Sequence, residues 1–259
     1  MKTPAVALCP PSLKAMTFPL NAYACGIYRA EGSVESLHYG LFENPTDDLL
    51  TAQRRATDAL LAPLPPPPLR LLEVGIGLGT TGQRLVTGGY AYRGITPDRA
   101  QVAYASQRYP DLAAHLKVAD FRYYRPRQPF DAVLFQESAQ YLTPQALAEG
   151  CGALLTPRGL VLMAGEMPRE LADRAIGWGW PGFTVIHSAD WTAATAPSLA
   201  YLVGIIDRFQ SALVADLALT SANLIRLSSV LAARQRAYAA GHYRYGFLVL
   251  QKCSADRGS

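Results

Sequence analysis

The sequence lacks the residue clusters that build metal sites and disulfide frameworks. Its 4 cysteines and 4 histidines are scattered, and no two cysteines form a Cys-x-x-Cys pair. This spacing offers no zinc or iron motif, so we expect no metal. It favours four free thiols in a reducing compartment, at Cys9, Cys25, Cys151 and Cys253.

Long apolar runs are also missing. The best candidate for one, residues 152–165, is interrupted by Arg158 and is shorter than a membrane-spanning helix requires. The early apolar stretch at residues 5–8 is short and ends in Cys9-Pro10-Pro11, unlike a secretory leader. We therefore expect a cytoplasmic protein without stable membrane insertion.

No strong charge imbalance is present. The chain has 24 basic and 20 acidic side chains, for a net charge of +4. Its densest basic cluster, at Arg122, Arg125 and Arg127, is too short for a nucleic-acid-binding arm, and we interpret it as a solvated turn. We expect no nucleic-acid partner, and nothing indicates the oligomeric state.

Strand-like and helix-like segments alternate from residue 70 to residue 165, which predicts a parallel sheet with crossover helices. Predicted strands cover residues 69–74, 90–95, 116–119, 131–136 and 159–164, and predicted helices cover 80–87, 97–108 and 144–155. Further on, we expect a strand at 183–187, helical spacing at 199–217 and 224–231, and a last strand at 245–250. The fold class is a doubly wound α/β sheet.

The proline run at residues 63–68 separates an N-terminal segment from this sheet. We expect a helical lid segment at residues 1–64, with a helix over Asp47–Leu61, and a main domain at residues 65–252. Within the main domain, the late helices would form a cap at about residues 192–240, and residues 253–259 would be a tail.

The glycine-rich turn after the first strand is the most informative segment. Glu73, Gly75, Gly77 and Gly79 give the pattern E-x-G-x-G-x-G at the point where the strand ends and a helix begins. Glycine allows a ligand and the helix to approach the backbone closely. The spacing of Gly77, Gly79 and Gly82 also fits the dinucleotide motif G-x-G-x-x-G, with Asp98 as its ribose-binding acid, so a nicotinamide enzyme stays open.

Several ordered segments resemble one family. The glycine turn resembles motif I of the class I S-adenosylmethionine (SAM)-dependent methyltransferases. Residues 94–101 (GITPDRAQ) and 38–42 (HYGLF) resemble elements of the small-molecule branch related to the cyclopropane fatty acid synthases. Residues 119–121 and 130–139 look like the third-strand and fourth-strand motifs, and 243–248 like the final antiparallel strand. The resemblance implies a seven-stranded, mostly parallel Rossmann-like sheet with an antiparallel last strand.

The resemblance also implies a cofactor, SAM, and its contacts. Asp120 would accept a hydrogen bond from the adenine amino group and Phe121 would cover the ring, while Tyr39 would approach the methionine end. The implied cofactor-binding set is Tyr39, Glu73, Gly75, Gly77, Gly79, Thr96, Gln101, Asp120, Phe121 and Gln136.

Two residues are candidates for the chemistry. Glu137 follows the fourth strand at the carboxyl edge of the sheet, where open α/β folds bind ligands, and it either removes a proton or orients the substrate. Tyr39 is the second candidate. Relatives often have a histidine four residues after this glutamate, whereas this chain has Tyr141. Glu166 is a further possible contact.

The predicted function is methyl transfer from SAM to a small-molecule acceptor, with N-, O- and C-methylation unresolved. The alternatives are cyclopropane synthase-like lipid methyl transfer, an NAD(P)-dependent oxidoreductase and a non-catalytic SAM-binding protein. A nucleic-acid methyltransferase is disfavoured because the fourth strand is not followed by D/N-P-P-[YFW]. Aromatic residues that could line an acceptor pocket are Tyr23, Tyr28, Trp178, Trp180, Trp191 and Tyr201.

Overall fold

A computed structural model describes residues 8–44, 46–178 and 180–254, without the side chains of 174–178. Its centre is one seven-stranded sheet with the strand order β3-β2-β1-β4-β5-β7-β6. The strands are β1 (Arg70–Val74), β2 (Ala91–Thr96), β3 (Leu116–Val118), β4 (Phe130–Gln136), β5 (Leu155–Pro168), β6 (Phe183–Asp190) and β7 (Tyr243–Lys252). In the described sheet, β7 runs in the opposite direction to the other six strands. The predicted fold class is confirmed.

Helices cover both faces of this sheet. They are α1 (Pro11–Lys14), α2 (Leu20–Glu31), α3 (Leu49–Leu61), α4 (Thr80–Thr87), α5 (Arg99–Arg108), α6 (Pro144–Leu154), α7 (Arg169–Trp178), α8 (Thr192–Arg208), α9 (Gln210–Leu217) and α10 (Ser221–Ala239). Two apolar clusters pack on opposite faces of the strands, because side chains alternate along each strand: Leu71 lies in one cluster and Leu72 in the other.

The central strands lie close to their predicted positions, since each is an apolar run buried on both faces. β5 is longer than predicted. It starts at Leu155, beside Phe130 of β4, and continues to Pro168, because β7 pairs with it along its second half.

The single helical stretch predicted at 199–217 is divided at Phe209 into α8 and α9, which are bent by 75°. Within the described ranges, no single helix is long and apolar enough to cross a membrane, and this bent pair meets that test only as a pair.

The N-terminal segment carries more structure than its sequence indicates. The predicted helix at 47–61 is α3, capped by Asp48, whose side chain accepts from the Thr51 amide. α1 and α2 were not predicted. α2 packs against α8 and α9, whereas α1 packs against α2 and α5. Asp216 of α9 accepts from Lys14 Nζ of α1 at 2.7 Å and from Arg29 Nε of α2 at 3.0 Å.

The prediction of four free thiols is wrong. Cys9 and Cys25 form a disulfide, while Cys151 is a buried free thiol and Cys253 an exposed one. The turn between α1 and α2 brings the two Cα atoms within 5.2 Å, inside the range that a disulfide spans. A spacing of 16 residues without further paired cysteines gives no sign of this contact in the sequence.

Candidate cofactor and acceptor site

A cavity of about 620 Å³ opens at the carboxyl ends of β1, β2 and β4. Its floor carries the glycine turn after β1, and its roof is formed by residues 36–39 together with parts of α2, α8 and α10. All predicted site residues except Gly79 line this one cavity: Tyr39, Glu73, Gly75, Gly77, Thr96, Gln101, Asp120, Phe121, Gln136 and Glu137.

The three glycines of the turn have different reasons to be glycine. Gly75 has a φ of 82°, and a Cβ there would lie 2.6 Å from the Cβ of Ser138. Gly79 has a φ of 83° and packs against Ala105, so its role in the structure is close helix packing. Gly77 differs, because no protein atom lies within 4 Å of a Cβ placed on it. Its Cβ would project into the space where a ligand would lie.

The residues after β2 form a small polar cluster. Thr96 donates to Gln101 Oε1 at 2.8 Å, and both side chains are buried. Asp98 caps α5 by accepting from the Ala100 amide at 2.8 Å, and its other oxygen accepts from the Thr17 amide at 3.0 Å. The carboxylate proposed for a nicotinamide ribose is thus occupied by backbone amides.

Asp120 and Phe121 lie at the far side of the cavity. Asp120 accepts from the Arg122 amide at 2.9 Å and from its guanidinium at 2.6 Å, and hydrogen bonding to Arg122 lowers the pKa of this carboxyl. The ring of Phe121 is buried edge-on against Phe135, with a centroid distance of 5.3 Å. Both oxygens of Asp120 accept from Arg122, so the exposed guanidinium of Arg122 would have to give up part of this contact to a ligand amino group.

Glu73 lies under the glycine turn and is 2% exposed. It accepts a hydrogen bond from the hydroxyl of Tyr92, and burial raises its pKa to about 8. A carboxyl in this state is largely protonated at neutral pH. It can therefore donate a hydrogen bond as well as accept one.

Glu137 occupies the most constrained position in the cavity. Its backbone has a φ of 55°, in the left-handed region that glutamate rarely adopts. Oε1 accepts from the Tyr39 amide at 2.5 Å and from the Tyr245 hydroxyl at 2.7 Å, and burial raises the pKa of this carboxyl to about 8. Its Oε2 makes no hydrogen bond to the described residues, which leaves that oxygen free to meet a ligand.

A chain of buried polar side chains links the sheet to the roof. Thr81 donates to Gln136 Oε1 at 2.9 Å, and Gln136 Nε2 donates to Thr57 Oγ1 at 3.1 Å. Thr57 Oγ1 lies 3.2 Å from His38 Nε2, and His38 Nδ1 lies 2.9 Å from the Tyr39 carbonyl. Because the carbonyl can only accept, Nδ1 carries the proton and Nε2 accepts from Thr57. His38 is thus a neutral structural link, and burial lowers its pKa to about 4.

Residues 40–42, which follow the roof segment in the chain, are hydrogen-bonded on two sides. The Leu41 amide donates to Ala52 in α3, while the Gly40 amide donates to Ser198 and the Phe42 amide to Ala194 in α8. A Cβ on Gly40 would lie 2.4 Å from Ala52, which explains the glycine of the HYG pattern. The segment at residues 40–42 is therefore fixed between two helices.

The remaining end of the cavity is a chamber next to Glu137. It is lined by Leu20, Tyr23, Gln140, Tyr141, Glu166, Leu202, Val230, Leu231 and Arg234. Glu166 is paired with Arg234 at 2.6 Å. The sequence does not identify Arg234 and Leu231 as site residues, although their helical spacing places both on one face of α10.

Most of the aromatic candidates lie elsewhere. Tyr23 lines the cavity, whereas Trp191 stacks on Phe247 at 4.6 Å and Tyr201 donates to Glu31. Tyr28 and Trp180 do not line the cavity, and the side chain of Trp178 lies outside the described residues.

The central part of the chain is similar to a known protein family. Residues 72–163 match the model of a methyltransferase domain. A search of curated protein sequences finds no match.

Solved structures share the fold over nearly the whole chain. They include the [4+2]-cyclase SpnF (19% identity, TM-score 0.73, covering 97% of this chain and 99% of that one). They also include the cyclopropane synthase MmaA2 from Mycobacterium tuberculosis (15% identity, TM-score 0.71, covering 94% of this chain and 94% of that one). A third is a putative sarcosine dimethylglycine methyltransferase from Galdieria sulphuraria (16% identity, TM-score 0.74, covering 85% of this chain and 93% of that one).

The matched residues contain the glycine turn, the Thr96–Gln101 cluster, Asp120 and Glu137, and thus most of the cavity floor. Residues 72–163 therefore match a methyltransferase domain, and nearly the whole chain shares the fold of these solved structures.

Proposed function

We propose that this enzyme methylates a small-molecule acceptor held in the chamber between Glu137 and α10. The observation that carries the proposal is the continuity of the cavity, which runs from the glycine turn to this chamber. Its volume of about 620 Å³ lies in the range of small-molecule sites. Proximity in one enclosed space is what a direct transfer between two ligands requires.

The floor of the cavity fits the cofactor. Gly77 leaves open the space that a side chain would fill, and Glu73, Gly75, Thr96, Gln101, Asp120 and Phe121 surround the same space. SAM, when bound, supplies an electrophilic methyl group on a sulfonium. We assign to these residues the binding and orientation of the cofactor, with Gln136 supporting them through its bonds to Thr57 and Thr81.

Glu137 and Tyr39 stand between this floor and the acceptor chamber. Oε1 of Glu137 is held by Tyr39 and Tyr245, so its free Oε2 can accept a hydrogen bond or a proton from the acceptor. Removal of a proton requires the carboxylate form, which the pKa of about 8 makes a minor species at neutral pH before ligands bind. Tyr39 walls the chamber and helps to exclude water.

One observation favours a second candidate, cyclopropane synthase-like methyl transfer to a lipid. Two apolar side chains at the cavity rim are exposed, Tyr141 by 76% and Val230 by 54%, and an acyl chain could lie across them. The oxidoreductase alternative is less favoured, because Asp98 is used by the Ala100 and Thr17 amides. A cytoplasmic location is also part of the proposal.

The first experiment is calorimetric binding of SAM, S-adenosylhomocysteine and NADH, followed by turnover on a panel of amines, phenols and carboxylates. We expect the first two ligands to bind, NADH to give no response, and one acceptor to gain a mass of one methyl group. Glu137→Gln should lower that turnover at least about 100-fold, while Glu149→Gln, an exposed control on α6, leaves it unchanged.

Other outcomes select among the alternatives. Added methylene mass in lipid extracts, with no small acceptor modified, would favour the lipid reaction. Binding without turnover on either set would indicate a non-catalytic SAM-binding protein. A preference for NADH would overturn the proposal altogether.

A further inference from the structure

A second cavity, of about 690 Å³, lies at the opposite end of the sheet. It is lined by the residues at which strands begin, Arg70 of β1, Ala91 of β2 and Phe130 of β4. The carboxyl ends of the same strands line the SAM cavity, so the two cavities are separated by the length of the sheet. The second cavity is therefore no part of the methyl-transfer site.

The lining of this cavity is strongly basic. Among the described residues, it contains Arg70, Arg93, His115, Lys117, Arg125 and Arg127, and no aspartate or glutamate. Nine other lysines and arginines of the described chain form salt bridges. The lysine and the four arginines of this cavity form none. Within the part of the chain that the structure describes, no salt bridge thus neutralises the positive charge of this cavity.

Four of these cations are nevertheless held in place. Carbonyl oxygens fix three guanidinium groups: Pro129 accepts from Arg70 at 3.1 Å, Ala114 from Arg93 at 3.1 Å and Tyr124 from Arg125 at 2.9 Å. Aromatic rings support two cations, with Arg70 lying 5.5 Å from the Phe130 centroid and Lys117 lying 5.7 Å from that of Tyr124.

Carbonyls and rings orient these groups without neutralising their charge. A site that keeps several like charges close together in fixed positions is built to receive an anion, because the anion relieves their repulsion. The cavity is concave and has the size of a small-molecule site, which favours a compact ligand over an extended polymer. Tyr124 and Phe130 add an apolar wall for an uncharged part of that ligand.

We propose that this cavity is a second ligand site, which binds a small phosphorylated molecule through Arg70, Arg93, Lys117, Arg125 and Arg127. Arg125 and Arg127, interpreted from sequence as part of a solvated turn, instead form one wall of the site. The proposal does not depend on the identity of the methyl acceptor.

The test titrates inorganic pyrophosphate and ADP into the full chain, with the SAM cavity saturated by S-adenosylhomocysteine so that adenine cannot enter it. We expect saturable binding of both, weakened by added salt. Arg125→Gln combined with Arg127→Gln should weaken binding at least tenfold. The control Arg226→Gln removes an exposed cation from α10 and should change it less than twofold.

Affinity for S-adenosylhomocysteine should be equal in all variants, which shows that the fold is intact. Absence of saturable binding by the wild-type protein, or equal weakening in the control, would overturn the proposal. So would binding of a duplex oligonucleotide in the absence of any response to pyrophosphate and ADP.

Discussion

The backbone amide of Tyr39 donates to the carboxylate of Glu137 at 2.5 Å, although the two residues are 98 positions apart. The contact joins the N-terminal roof to the end of β4. It also explains why Glu137 tolerates a φ of 55°, since Tyr39, Tyr245 and the Ala164 carbonyl together fix the residue in this conformation.

Replacement of Gly77 by leucine should abolish binding of SAM and of S-adenosylhomocysteine and cost about 1 kcal/mol of stability, because leucine is strained at a φ of 52°. No atom of the described residues lies within 4 Å of a Cβ at this position, and the side chain would enter the cavity in which we place the cofactor. Gly182→Leu is the matched control, because Gly182 also has a positive φ and an open Cβ position but lies outside the cavity. Calorimetry would contradict the assignment if both variants kept the wild-type affinity.

Binding of SAM should release protons near neutral pH, and binding of S-adenosylhomocysteine should release fewer. Glu137 and Glu73 each have a pKa raised to about 8, and a nearby sulfonium favours their charged forms. Affinity for SAM should therefore rise as the pH increases towards about 8. The measurement is the binding enthalpy in buffers of different ionisation enthalpy.

Glu137→Gln and Glu73→Gln apportion this proton release between the two carboxyls. Equal release on binding of SAM and of S-adenosylhomocysteine would contradict the placement of the sulfonium near either of them.

His38 should make the fold sensitive to acid. Its pKa is lowered to about 4 in the folded protein, so between pH 6.5 and pH 4 the unfolded chain binds a proton that the folded chain does not. Stability should therefore fall as the pH decreases through this window, by up to about 1.4 kcal/mol per pH unit. Urea unfolding of the wild type and of His38→Gln isolates this contribution, and equal slopes would contradict it.

Loss of the Asp216 carboxylate should destabilise the protein by about 3 kcal/mol, because Arg29 would be left buried without an anion. The control Asp58→Asn removes an exposed partner of Arg84 and should cost less than about 1 kcal/mol. Urea unfolding measures both variants. Similar values for the two would show that the contact between α2 and α9 is as solvated as the surface pair.

The unreduced, denatured protein should react with a thiol reagent at two cysteines rather than four, since Cys9 and Cys25 are bonded. Conversion of both to alanine should lower the free energy of unfolding by about 3 kcal/mol, a value typical of a loop of this length. Four reactive thiols in protein purified without reductant would contradict the bond.

The sequence carries enough information for the sheet and for the cavity floor. β1 and β4 are continuous apolar runs, and the turn at Gly75 and Gly77 requires positive φ values, so local patterns determine both. Glu73, Thr96 and Asp120 lie at or just after the ends of β1, β2 and β3, so the predicted strands were enough to place them in one cavity. Their roles in binding and catalysis stay predictions.

The roof and the acceptor chamber could not be predicted in the same way. Cys9–Cys25 and Arg234–Glu166 join residues whose proximity depends on how helices pack across the sheet. No periodicity encodes such packing. Asp98 shows the same limit, because the distant Thr17 amide occupies an oxygen that local spacing left free.

Residues 40–42 are bonded to α3 on one side and to α8 on the other, and they thereby anchor the adjoining roof at residues 36–39. We therefore expect passage into the chamber to depend on the exposed side chains of its lining, Tyr141 and Val230. Exposed rotamers exchange in picoseconds to nanoseconds, far faster than loop opening. On this expectation the rotamer of Tyr141 sets the width of the entrance, and the proposed acceptor enters without any motion of the backbone.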